Sequence, residues 1–458
     1  MTARRSCRNG LAIFVLLALA ARGELRADEA PRTFRGLKFL DNGQIRLGVD
    51  LDLGGAITYL SEANRENNVV NSYDCGRQIQ MSFYSGPVPF GVGDKQPKPH
   101  WSHIGWNPIQ SGDDFRHGSP VIDFRQDENH LYLKCVPMQW PLDDVPGECT
   151  FECWITLAGN TAEVRSRLNN RRSDKTQYPA RTQELPAVYT NGPLYRLMTY
   201  AGRRPFTGDR LERIVKPASD PAPWASWLAT ENWAALVNDD DWGLGLWNSG
   251  CHRFSGGFAG APGAGGPKDN PTGYMAPNQI EILDHDIQYE FAYVLILGRL
   301  DDIRQYVYRH AQRPVLPDYD FRANRQHWRL TNATDAGWPL DGAWRINLDQ
   351  ADPQLYSPET CWQADDVPRI SIEAAYHAAP GQRGQVFWKR FDDRGFSEDC
   401  SLNFAVESDG QYHAYTLDLA SSANYRGATI TGLRFDPVAN GRAGDFVTIR
   451  RIAAAKSE

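Results

Sequence analysis

Alternation with a period of two residues, repeated along most of the chain, constrains its fold more than any other feature. Residues 44–50 (QIRLGVD), 130–136 (HLYLKCV), 369–374 (RISIEA) and 384–389 (GQVFWK) each throw apolar and polar side chains to opposite sides of an extended segment. Successive side chains of a strand point to opposite faces, so the pattern marks sheets with one buried and one wet face. Asn, Asp, Gly and Pro separate the runs, as turns between antiparallel strands require. Helical spacing is scarce, and residues 300–312 (LDDIRQYVYRHAQ) form the best single helix. The expectation is an all-β protein.

With 458 residues the chain exceeds what one core holds, since single cores rarely grow beyond ~250–300 residues. Many short strands over residues 33–313 favour one large antiparallel sandwich. Pro314, Pro317 and the polar stretch to Gln326 mark a connector. Residues 318–454 then form a second β-sandwich.

Composition excludes some functions. A net charge of -7 argues against nucleic acid, whose phosphates call for a basic face. With 14 Trp, 19 Tyr and 19 Phe, aromatic rings are left over for stacking on flat ligands. Residues 1–20 read as a signal peptide: Arg4, Arg5 and Arg8 precede an apolar stretch over residues 11–20 that ends in small side chains. That stretch is too short to span a bilayer, which takes ~20 residues. The expected location is secreted or periplasmic, without a membrane anchor. Beyond Cys7 seven cysteines remain. Cys361 with Cys400, and Cys135 with Cys149 or Cys153, are candidate disulfides, and buried thiols are the alternative.

Two resemblances follow from longer phrases. Residues 40–80 (LDNGQIRLGVDLDLGGAITYLSEANRENNVVNSYDCGRQIQ), with Asn71, Asp74, Gly76, Arg77 and Gln78, resemble the entry strands of galactose-mutarotase-like supersandwich proteins. Residues 352–358 (DPQLYSP), 386–399 (VFWKRFDDRGFSED), 408–419 (SDGQYHAYTLDL) and 432–437 (GLRFDP) resemble jelly-roll modules attached to bacterial carbohydrate-active enzymes. The resemblance implies a supersandwich followed by a carbohydrate-binding-like jelly roll, and a polysaccharide or oligosaccharide as partner. It does not choose a reaction, because these folds host epimerases, hydrolases, lyases and binding proteins.

Candidate chemistry rests on five stretches. Glu184 in residues 180–189 (ARTQELPAVY) and Glu231 in residues 229–236 (ATENWAAL) are lone carboxylates in neutral, aromatic-rich surroundings. Glycoside hydrolysis needs two carboxyl groups across the sugar, one of them with a raised pKa. Arg181 lies three residues before Glu184, on the opposite face of a regular strand unless a bulge intervenes. A structural, Arg-paired carboxylate is the competing reading of each. Residues 98–117 (KPHWSHIGWNPIQSGDDFRH) hold three of the ten histidines with Trp101, Trp106, Asp113 and Asp114. Acid/base work by His103, metal ligation and a packed or sugar-stacking loop all compete there, and no zinc-motif spacing is present. Residues 256–274 (GGFAGAPGAGGPKDNPTGY) lack the ending of a phosphate loop and read as a rim loop with Tyr274 at its base. Residues 281–286 (EILDHD) place His285 close behind.

These readings combine into one expectation: hydrolysis of a polysaccharide, with Glu184 and Glu231 as the acid/base pair and His103 assisting. Arg181, Trp101, Trp106, Asp113, Tyr274 and His285 would bind substrate. No cofactor and no resident metal are called for, and the oligomeric state stays open. A polysaccharide lyase acting on a uronate-containing glycan is the first alternative, and a non-catalytic glycan-binding protein the second.

Overall fold

The run Cys149–Ala158 (CTFECWITLA) shows how alternation becomes structure. Cys149, Phe151, Cys153, Ile155 and Leu157 are buried, and the side chains between them stand partly exposed. The strand turns at Gly159, whose φ of 59° is open to glycine at little cost, and pairs in register with Thr161–Asn170. On the wet face the Arg165 guanidinium lies 4.0 Å from the Trp154 ring centroid, and Tyr132 donates to Glu152 at 2.7 Å. Such cross-strand pairs each add ~0.2–1 kcal/mol and help hold the register.

A computed structural model describes residues 34–313 and 316–455. Among those residues, the first sandwich has a ten-stranded and a nine-stranded antiparallel sheet. Five strands of the first sheet matter for function: β1 (Ile79–Ser82), β2 (Arg181–Asn191), β3 (Ala225–Leu228), β4 (Arg253–Ala259) and β5 (Thr272–Glu281). They lie side by side in the order β1, β2, β5, β4, β3. The core sits between the sheets, where Phe83 meets Phe151 and Phe291 edge-on at 5.3 and 6.2 Å. Removing a ring of this kind costs ~3–5 kcal/mol.

The outer face of the second sheet is covered by α1 (Leu300–His310), the only α-helix among the described residues. It buries Leu300, Ile303, Tyr306 and Val307 against Trp233, Ala235 and Val237. Asp301 and Asp302 in its first turn and Arg309 and His310 in its last match the helix dipole. The helix is shorter than the sequence expectation: Ala311 is its C-cap, with extended backbone.

Residues 318–454 build a second sandwich of two six-stranded antiparallel sheets around Phe321, Trp328, Trp344 and Trp388. Each of the four expected phrases contributes to a strand: Gln354–Tyr356, Arg383–Arg390, His413–Asp418 and Thr429–Asp436. The two sandwiches pack into one compact unit, joined by a buried ionic cluster. Arg325 donates to Asp284 of the first sandwich at 2.6 Å and to Asp335 of the second at 2.5 and 2.8 Å. Gln177 bonds both carboxylates, at 3.0 and 2.7 Å.

The expected disulfides are corrected: all seven described cysteines are free thiols, and all but Cys361 are buried. The strands place Cys135 and Cys153 inside the first core, where they pack as small apolar side chains. The expected signal peptide and Pro314 of the expected connector lie outside the described residues. Among the described residues no helix is long and apolar enough to cross a membrane.

Candidate functional site

Glu184 stands on the outer face of the first sheet, and a register fault puts it among aromatic rings. Glu184 pairs with Asn278 on β5, and four residues later Val188 pairs with Met275, only three residues back. The extra residue on β2 is a β-bulge. Val188 and Met275 face the core, whereas Tyr189, its β5 partner Tyr274, Ala187 and Ala276 share the outer face with Trp224. Without the bulge, Glu184 and Tyr189 would point to opposite sides, their spacing being odd. Tyr274 lies between Tyr189 and Trp224, at centroid distances of 4.9 and 4.8 Å.

The Glu184 carboxylate is held by hydroxyl groups. Tyr84 donates to Oε2 at 3.0 Å, Tyr274 donates to Oε1, and the Ser82 hydroxyl is a third partner. Tyr84 lies just past the end of β1. Its backbone is continued onto β2 by the Gln183 side chain, which accepts from its N–H and donates to its C=O, both at 2.8 Å. Burial raises the Glu184 pKa above the ordinary carboxylate value, and the three hydroxyls only partly offset it. Burial, then the Glu184 charge, pushes both tyrosine pKa values well up, so each remains a donor. Glu184 as a residue is half-buried. The arrangement can take or give a proton at Glu184 while the tyrosines stabilise its charged form.

Arg181 does not pair with Glu184. Its guanidinium donates to the backbone carbonyls of Ser85, Ile104 and His103, at 3.2 Å to Ser85 and 3.3 Å to His103. It thereby clamps the loop that carries His103. Gly105 is required at this spot: its φ is 75°, and a Cβ would come within 2.8 Å of the guanidinium. His103 itself is exposed. Trp101 is half-buried, ordered by Asp114 through an indole N–H bond of 2.9 Å, and meets Trp140 edge-on at 5.8 Å.

Other expected site residues lie elsewhere. Trp106 is buried in the first core beneath the Arg172 guanidinium, which corrects its reading as a stacking surface. Asp113 is fully buried and accepts from the backbone N–H groups of Phe115, His117 and Asp144. It organises its loop; with His117 and Asp143 its ligand atoms lie within 4.8 Å of one another. His285 pairs with Asp286 at 3.2 Å and shares no partner with Glu184.

Glu231 belongs to a separate network. Its oxygens accept from the Phe206 N–H, the Trp233 indole, Arg304 and the Tyr308 hydroxyl, at 2.6–3.1 Å. Trp233, Arg304 and Tyr308 belong to the α1 side of the second sheet, so Glu231 and Glu184 lie on opposite outer faces. Sheets in a sandwich stand ~10 Å apart, and a glycosidase pair spans at most ~9.5 Å. The structure therefore does not bring the two together.

Tyr84, Ser82, Tyr189 and Trp224 were missed by sequence reasoning. Pro186, two residues after Glu184 in a β-rich run, was the available signal of a bulge. The Gly/Pro-rich connection between β4 and β5 folds onto the entry segment: Asn71 donates to the Asp269 carbonyl at 2.9 Å, and Arg77 to that of Asn270 at 2.6 Å.

No family model matches the chain, and no curated protein matches it. Solved structures offer distant likenesses. A galactose mutarotase-like protein from Lactobacillus casei is 14% identical, covering 57% of this chain and 100% of its own, with a TM-score of 0.34. A galactose mutarotase related enzyme from Lactobacillus acidophilus is 10% identical over 57% of this chain and 97% of its own, at 0.34. A Paenibacillus xanthan lyase is 8% identical over 93% of this chain and 52% of its own, at 0.30.

Proposed function

We propose that this chain is a carbohydrate-active protein that binds a saccharide across the outer face of its first sheet and acts on it through proton transfer at Glu184. One observation carries the reading: a half-buried glutamate whose carboxyl pKa is raised, held by tyrosine hydroxyls and not by a cation, beside the rings of Tyr189 and Trp224. A raised carboxylate pKa suits a proton-transfer group, and aromatic faces suit sugar C–H surfaces.

Of the reactions open to a saccharide, elimination fits this set better than two-carboxylate hydrolysis. Ionised Glu184 would take a carbon-bound proton, a C=C bond would form as the neighbouring C–O bond breaks, and the leaving oxygen would receive a proton from a tyrosine hydroxyl or water. Glu231, in its own saturated network, supplies no second carboxylate at Glu184. Binding without turnover is the second reading, favoured by the hydroxyls that already occupy both Glu184 oxygens.

Digestion of a glycan panel tests all three. New reducing ends with ultraviolet absorbance from unsaturated products support elimination. Reducing ends without that absorbance mean hydrolysis, and binding with neither leaves the non-catalytic reading. Glu184→Gln must abolish whichever activity appears, or the assignment fails.

A further inference from the structure

The outer face that carries Glu184 runs directly into a cavity of about 370 Å³ between the two sandwiches. Thr182, two residues before Glu184 on the same face of β2, lines it, which places its Cα ~7 Å from that of Glu184. Asn278, the β5 neighbour of Glu184, lines it too. The opposite wall comes from the second sandwich.

The charges in this cavity are unbalanced. Arg253, Arg329 and Lys389 line it against a single carboxylate, Glu359. Arg253 holds Glu359 in a two-pronged pair, with Nε at 2.6 Å from Oε2, and Lys389 reaches Oε1 at 3.4 Å. Among the described residues the Arg329 guanidinium takes no hydrogen bond and no ion pair; it lies 4.5 Å from the centroid of the Tyr356 ring. Burial lowers its pKa, and the nearby Tyr356 and Glu359 offset this only in part. His327, at the edge, is already paired with Glu281 at 2.5 Å. A planar, always-charged fork with free donors beside a stacking ring is built to bind an oxyanion in two-pronged fashion.

We propose that this inter-sandwich cavity is an oxyanion subsite that receives the carboxylate or sulfate group of an acidic saccharide, with Arg329 as its principal ligand and Lys389 beside it. The inference rests on the reading of the Glu184 face as a saccharide site, and deepens it by naming an acidic glycan as substrate. Thr182 and Asn278 make the subsite continuous with Glu184, so one chain of sugars would reach both.

Calorimetric titration of the full chain with four probes tests it: an oligogalacturonate, its carboxyl-reduced neutral counterpart, a sulfated oligosaccharide and inorganic sulfate. One acidic oligosaccharide should bind at least about tenfold tighter than the neutral one. Arg329→Gln should remove most of that advantage, and Arg329→Lys should restore part of it. A thermal melt confirms that each variant is folded. Whichever acidic probe responds to Arg329 identifies carboxylate or sulfate. Binding of the acidic oligosaccharides and turnover at Glu184 that ignore Arg329 would overturn the subsite and leave the saccharide reading standing. Binding of inorganic sulfate alone would overturn the subsite as a saccharide site, and failure of every saccharide probe would overturn both readings.

Discussion

The Tyr84 hydroxyl stands 3.0 Å from Oε2 of Glu184, a contact between residues one hundred positions apart. It exists because the Gln183 amide continues the ladder past the end of β1 and holds the Tyr84 backbone beside β2. The same reach of chain thus sets both the position of the carboxylate and the donor that stabilises its charge.

That pair predicts a pH profile. If ionised Glu184 is the base, activity rises with pH through its folded pKa, which lies above the ordinary carboxylate value. Tyr84→Phe removes a hydroxyl that favours the charged form, so the acid limb should move to higher pH. Glu184→Gln should cost ~10²–10⁴-fold in turnover. Initial rates across pH check both, and an acid limb unmoved in Tyr84→Phe would separate the tyrosine from the carboxylate.

Stability should respond in the opposite sense to activity. A carboxylate with a raised folded pKa binds more protons in the native state, so its contribution is fully present below the unfolded value and is lost as pH rises through the folded one. Glu184→Gln escapes this loss, and its stability relative to the parent should increase over that window. Urea melts at several pH values measure the difference.

Glu231 should prove structural. Its side chain is fully buried, and that of Arg304 is 11% exposed, so Glu231→Ala leaves a largely buried guanidinium without its counter-charge. Breaking such a pair costs ~3–5 kcal/mol, read as a lower denaturant midpoint. Folded Glu231→Gln protein should keep whatever turnover the parent has. A large loss in fully folded protein would return Glu231 to the catalytic pair.

Arg325 should couple the sandwiches. Burial alone would raise the Asp335 pKa, but the Arg325 bonds override it and hold it below the usual value. A depressed carboxylate pKa contributes stability above the unfolded value, and that stability is lost as pH falls through the folded one. Arg325→Met should destabilise the chain by ~3–5 kcal/mol and flatten this acid-side slope. We propose that a fragment starting at Asp318 still folds, since its aromatic core is contained within residues 318–454; a β-type circular dichroism spectrum with a cooperative melt is the expected result.

The thiols supply a further check. Burial pushes Cys75 up to about 11 and Cys153 and Cys361 to about 12, so few thiolates exist at neutral pH. Among the described thiols reaction with a disulfide reagent should be slow in the native protein, Cys361 first because it alone of these is not fully buried. All seven described thiols should react on unfolding without reductant, and fewer would restore the disulfide expectation.

Local pattern determined a good deal of this protein. Alternation in residues 130–136 and 384–389 places strands at His130–Cys135 and Arg383–Arg390, because the side-chain period of a strand is written residue by residue. The helix at Leu300 and the strands of residues 369–377 were legible for the same reason. Glu184 could be singled out as a lone carboxylate in an apolar run. Its partners could not. Tyr84 and Tyr274 reach it only through strand order, and Tyr189 shares its face only because of a bulge that shifts register by one residue. The separation of Glu231 from Glu184 likewise depends on which sheet each one faces away from. Strand pairing, register and layer are decided by contacts far apart in sequence, where burial of whole faces outweighs any local preference. Only the tertiary structure decided them.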